Sequence, residues 1–139
     1  MGYEQPLLRV GLYPADVDMS NKAVWQFAPV WLAPATTTTG TGVGGAALTG
    51  AGALGYPPFG ILQNNPKLGE SGLVLPFGCG GISKALLKGN VAIGNFLTAN
   101  VGGTGLIVVA AGGYALAIAL ETGATGDYST VMLVNNGKQ

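Results

Sequence analysis

The clearest pattern in this chain is an alternation near its C-terminal end. In Tyr114-Ala115-Leu116-Ala117-Ile118-Ala119-Leu120 every second residue is bulky and apolar, and every residue between them is alanine. A period of two sends Tyr114, Leu116, Ile118 and Leu120 to one face of a strand. The alanine face is apolar too, which predicts close packing rather than contact with water. Next comes Glu121-Thr-Gly-Ala-Thr-Gly-Asp127, a turn-rich connection with two glycines able to take positive φ. Residues 128–134 then read as a second strand, rich in β-branched and aromatic types. The pattern predicts a hairpin over residues 114–134. Alanine and leucine also favour helices, but the glycine pair before Tyr114 and the glycines of the turn leave little room for one.

Other short apolar runs precede the hairpin: Ile61-Leu62, Leu73-Val74-Leu75, and residues 82–87, 91–97 and 106–109. Lys88-Gly89-Asn90 and Ile93-Gly94-Asn95 supply turn chemistry between them, and no proline follows Pro76, as expected where backbone amides are committed to ladders. Many short strands at such spacing predict a mainly β fold, a small β-barrel or sandwich spanning residues 59–139. Residues 82–87 are the one run that would also suit a helical turn.

The earlier part of the chain has a different character. Residues 1–35 read as an extended N-terminal arm with edge strands, since prolines at 6, 14, 29 and 34 limit how much of it can be central strand. Residues 7–13 form a short strand in this reading, followed by a proline turn at Pro14-Ala15-Asp16. Residues 22–27 alternate and predict another strand with Trp25 and Phe27 on one face. Residues 36–58, rich in threonine and glycine, read as a flexible loop that lets the arm reach away from the β core.

Composition narrows the function classes. At 139 residues the chain is one domain. Charged residues make up 9% of it, against ~25% in ordinary soluble domains. So neutral a surface favours an obligate assembly over a free monomer. Six basic and six acidic residues cancel, which gives no electrostatic reason to bind nucleic acid or anionic lipid. Residues 89–120 carry no charge, but Gly102-Gly103, Gly105 and Gly112-Gly113 break the run, so no membrane-spanning helix is predicted. The first residues lack the charged and apolar regions of a secretory leader, and Pro6 stands where a myristoylation signal needs serine or threonine.

The catalytic inventory is thin. With no histidine, neither a Ser-His-Asp nor a Cys-His arrangement can form, nor an imidazole metal site. The single Cys79 has no internal disulfide partner, and Gly78-Cys79-Gly80-Gly81 reads as a turn without a base or cation nearby. Gly40, Gly42 and Gly45 match G-x-G-x-x-G, but no acidic residue occurs between Asp18 and Glu70 and no strand–helix context surrounds them, so the match follows from composition. Asp16 with Asp18, or Glu70 with Glu121, can be posed as carboxylate pairs; scattered surface acids explain them more simply. The expectation is a protein that is not an enzyme, with no metal and no cofactor.

Three stretches carry a family resemblance: Gly60-Ile-Leu-Gln-Asn-Asn-Pro-Lys-Leu-Gly-Glu70, Lys88-Gly-Asn-Val-Ala-Ile-Gly-Asn-Phe-Leu-Thr98 and Ala115-Leu-Ala-Ile-Ala-Leu-Glu-Thr-Gly-Ala-Thr-Gly-Asp127. In these the chain resembles the DUF2190-like family of small tailed-phage proteins, thought to be capsid decoration or cement proteins. The resemblance covers about half of the chain, in order, and rests on turns and strands rather than catalytic residues. It implies a structural virion protein on the outer capsid surface, a homotrimer whose partner is the major capsid protein. The N-terminal 58 residues depart from the shorter family pattern.

Composition and resemblance together point to an interaction role. The arm offers Tyr3, Leu7, Leu8, Tyr13, Trp25, Phe27 and Trp31 as candidate anchors on a neighbouring subunit, because aromatic side chains bury large areas at low entropic cost. Trp25, Phe27 and Trp31 serve equally well as ordinary core. The alternative reading is a carbohydrate- or receptor-binding β module displayed on a virion. It needs exposed aromatics beside carboxylates, and seven of the eleven aromatics fall within the first 59 residues.

Overall fold

The computed structural model describes residues 11–15, 17–34, 46–49, 58–100 and 104–138. Along the chain these give β1 (Gly11–Pro14), a single helical turn α1 (Lys22–Trp25), β2 (Pro29–Pro34), β3 (Ala46–Thr49), β4 (Gly60–Leu62) and β5 (Ser71–Pro76). Then follow β6 (Ile82–Leu86), β7 (Phe96–Ala99), β8 (Leu106–Val108), β9 (Tyr114–Ala119) and β10 (Tyr128–Lys138). The fold is mainly β, two antiparallel sheets with one curled into a half-barrel, as the alternation predicts. Sheet 1 has the order β1-β5-β4-β2-β3, and sheet 2 the order β6-β10-β9-β7-β8. In sheet 1 the edge strands β1 and β3 come within 8 Å of each other. In sheet 2 the end of β6 reaches β8, where Leu87 bridges Leu106 in parallel and the Lys88 N–H donates to the Leu106 carbonyl at 2.8 Å.

The predicted hairpin is β9–β10, with Val131 opposite Ala119 and Leu133 opposite Ala117. Its alanine face is the core face: Ala115, Ala117 and Ala119 are at most 1% exposed. Ala117 lies between Leu97 of β7 and Leu133 of β10, so small and large side chains alternate across the sheet and fill its concave side. The main core joins Ala117, Ala119, Leu97 and Leu133 to Leu87, Val91 and Leu106 and to Ile61 and Leu75 from sheet 1. A second core covers the opposite face of sheet 1, where Leu62, Val74 and Val30 meet Ala15 and Met19.

One turn design opens three strands of sheet 2. Ala92-Ile93-Gly94-Asn95-Phe96 precedes β7, Ala110-Ala111-Gly112-Gly113-Tyr114 precedes β9, and Ala124-Thr125-Gly126-Asp127-Tyr128 precedes β10. In each, the fourth residue's N–H donates to the first residue's carbonyl, at 3.0, 2.9 and 3.0 Å. The glycines have φ of 85, 83 and 92°, the positive value that the third position of a type II turn demands. Asn95 and Asp127 also accept the first residue's N–H on their side chains, each at 2.8 Å.

The structure corrects several expectations in the N-terminal third. Residues 22–27 are not a strand. The Asn21 side chain accepts the Ala23 N–H at 3.1 Å and caps α1, so a local cap outweighs the short alternation. Trp25 packs on the second core and Phe27 on the main one, so they do not share a face. Pro14 ends β1 instead of opening a turn, and Ala15 continues the pairing by exchanging hydrogen bonds with Gly69 and Glu70, both 2.9 Å. Of the loop expected over 36–58, residues Ala46–Thr49 are β3, paired with β2; Gly40, Gly42 and Gly45 lie outside the described residues. Residues 11–34 of the expected arm supply β1, β2 and much of the second core. Residues 1–10 lie outside the described residues. Further on, residues 82–86 are strand, as the spacing of apolar runs predicts, and the helical alternative does not form.

Phe27 ties the two sheets together. Its N–H donates to Leu62 of β4 at 2.8 Å, and its carbonyl accepts from Leu86 of β6 at 3.0 Å. Its ring meets Tyr128 of β10 edge-on, with centroids 5.8 Å apart. These contacts hold a φ of 62°, a conformation that costs a bulky residue on the order of 1–3 kcal/mol.

Two outcomes test this packing. Ala117→Arg, which places an unpaired charge in the main core, abolishes soluble folded protein; a variant with a wild-type thermal melt would remove the alanine face from the core. Phe27→Ala lowers stability by about 2 kcal/mol, below the 3–5 of a fully buried phenylalanine, read as a shift in the urea midpoint.

Candidate interaction surface

The anchors expected on the arm are, where described, used within the chain. Tyr13 meets Phe59 edge-on at 5.4 Å over the second core. Trp25 packs on the same core, Phe27 on the main one, and Trp31 is 3% exposed. Tyr3, Leu7 and Leu8 lie outside the described residues, as does Asp16.

Polar side chains are spent on turns. Asp18 accepts the Ser20 N–H at 2.9 Å, and hydrogen bonding from Ser20, aided by Lys67, holds its carboxyl below the ordinary value. Glu70 accepts the Lys67 N–H at 2.8 Å in the turn before β5, while Glu121 serves sheet 2, so these two acids do not form a pair. Cys79 is half-buried in a turn against the main core, its Sγ accepting the Gly81 N–H at 3.3 Å. Among the described residues no cluster of three acids or cysteines could hold a metal ion, and no helix is long and apolar enough to cross a membrane.

Among the described residues, the outer face of sheet 2 is apolar and belongs to neither core. The register places Ile82, Met132, Ile118 and Phe96 in one line across β6, β10, β9 and β7. The hydrogen bond from the Val109 N–H to Phe96 extends that line beyond β8. Two residues further along the strands, Thr98 pairs with Ile107, Leu116 follows on β9 and Val134 stands at the start of the bulge in β10, so this part of the face contains a single polar side chain. Ile82 is 58% exposed, and Tyr114 and Tyr128, at opposite ends of the face, are 55% and 43% exposed. Met132, Ile118 and Phe96 are partly exposed, while Leu116 is buried beside a bulge in β10 between Leu133 and Gly137.

One edge of this face is polar. Lys84 Nζ lies 3.3 Å from Glu121 Oε1 and 2.9 Å from the Thr130 hydroxyl. Glu121 Oε1 also accepts the Thr130 N–H. The Thr130 N–H first, then its hydroxyl and the Lys84 ammonium, hold the Glu121 carboxyl below its ordinary value.

No protein-family profile matches the chain, and no curated protein matches it. Among solved structures it is similar to the head fiber gp8.5 N base of bacteriophage phi29. The similarity has a TM-score of 0.64 at 13% sequence identity and covers 95% of this chain and 98% of that one. At that identity the two share a fold.

The carboxylates give a pH prediction. Asp18 and Glu121 both have lowered values in the fold. Their contributions are therefore present above the unfolded carboxyl values of about 4 and are lost as pH falls through the still lower folded values. Thermal midpoints measured from pH 7 to pH 2.5 should fall through the acid range, and Glu121→Gln should fall less steeply. Equal acid slopes for the two proteins would contradict the assignment for Glu121.

Proposed function

We propose that this chain is a structural protein of a phage virion, bound to the outside of the assembled head. The observation that carries the reading is the shared fold with the phi29 head fiber base, spanning nearly the whole of both chains. The apolar outer face of sheet 2 supports it, since it is material for packing against protein rather than for chemistry. In this reading the protein is a homotrimer whose partner is the major capsid protein. It makes contacts that exist only on the assembled shell, clamps adjacent capsid subunits and so stabilises the shell by mass action. The carbohydrate-binding alternative gains nothing from the geometry. Among the described residues, the two exposed tyrosines stand at opposite ends of a sheet, and the Tyr128 hydroxyl is directed to the Lys22 carbonyl at 3.5 Å.

The test is sedimentation of the full chain with assembled heads and, separately, with unassembled capsid protein. It should pellet with heads, remain free of the unassembled subunit, and raise the temperature at which heads release their DNA. Absence from the head pellet would sink the proposal.

A further inference from the structure

We infer that the outer face of sheet 2 is where copies of this chain meet, each face covered by a second copy. This names the surface behind the self-association in the reading above and rests on it only for the expectation that copies associate. Four observations select the occupant and the geometry.

The central residues of the face include no charged one, and only Thr98 among them is polar. Burying the area they still expose desolvates no ion and gains an apolar term. A strongly charged partner would find nothing there to pair with. The matching neutral surface is the chain's own, with six basic and six acidic residues in 139.

The area is also adequate. Five strands spaced ~4.8 Å apart give a width of about 24 Å. With the curl of the sheet and the limited length of the flanking strands, the face offers at most roughly 600 Å², below the ~800 Å² each partner gives to a standard interface but above the ~500 Å² a specific one needs.

The edge of sheet 2 at β6 is partly occupied within the chain. The Leu86 N–H is taken by the Phe27 carbonyl at 3.0 Å, and the Lys84 carbonyl accepts the Ser83 hydroxyl at 2.8 Å. That favours the face over the β6 edge as the surface a second copy covers. Finally, the face stands apart from both cores, so covering it requires no rearrangement of the fold.

The test uses the free full-length chain, without capsid. Light scattering coupled to size exclusion should give a multiple of the monomer mass for the wild type. Ile82→Glu and Met132→Glu should each give the monomer mass with an unchanged circular dichroism spectrum. Ile82 is 58% exposed on an edge strand, so its variant keeps the test valid if Met132→Glu fails to fold. Peroxide footprinting supplies a readout without mutation. Met132 should oxidise at least fivefold more slowly in the assembled than in the dilute protein, with Met19, 0% exposed, as the protected internal reference. A monomeric wild type with freely oxidised Met132, or an Ile82→Glu variant that assembles like wild type, overturns the inference. Loss of head binding with self-association intact would count against the virion reading and leave this interface standing.

Discussion

Strand β4 at the centre of sheet 1 is buried on both faces, and most of the architecture follows from that constraint. Neighbouring residues of β4 serve different cores: Ile61 joins the one shared with sheet 2, and Leu62 joins the one beneath residues 15–30. A strand buried on both sides reads as a continuous apolar run, as Gly60-Ile61-Leu62 does. Burial of the outer core requires the N-terminal segment to fold back, and Met19, 0% exposed, is the plug it provides. Phe27 then passes the chain from one core to the other while bonding a strand of each sheet.

Sheet 2 solves a different problem with small residues. Its edges are drawn together at Leu87 and Leu106, which leaves little space inside the curl. Alanine suits the central strand there because a larger side chain would collide with Leu97 and Leu133 on either side of Ala117. Gly105 sits where the same closure allows no side chain at all; a Cβ would stand 2.8 Å from the Leu86 carbonyl oxygen. The bulky residues of β9 consequently face outward, and the apolar outer face is a by-product of how the inside is filled.

The chain's few charges divide the labour further. Asp18, Glu70, Glu121 and Asp127 each accept a backbone N–H in or beside a turn. Glu70, Glu121 and Asp127 lie where strands begin or end. A surface of this kind suits a protein whose work is to be packed against others.

Local features were legible in the sequence. The period-two alternation located the β9–β10 hairpin, and the glycine-bounded runs gave the mainly β class, because a strand's side-chain direction depends only on its neighbours in the chain. The threefold Ala-x-Gly-x-aromatic turn was also present to be read, since type II geometry needs only a glycine at one place. The helical turn at residues 22–25 escaped because one Asn21 side chain decides it. Strand partners were beyond reach: β1 joins β5 across some sixty residues, and β3 emerges from a threonine- and glycine-rich stretch only because β2 lies beside it. The interaction surface shifted for a similar reason. Both faces of β9 are apolar, so periodicity separates them without saying which is inside; only the curl of sheet 2, with room for alanine and not for leucine, settles that.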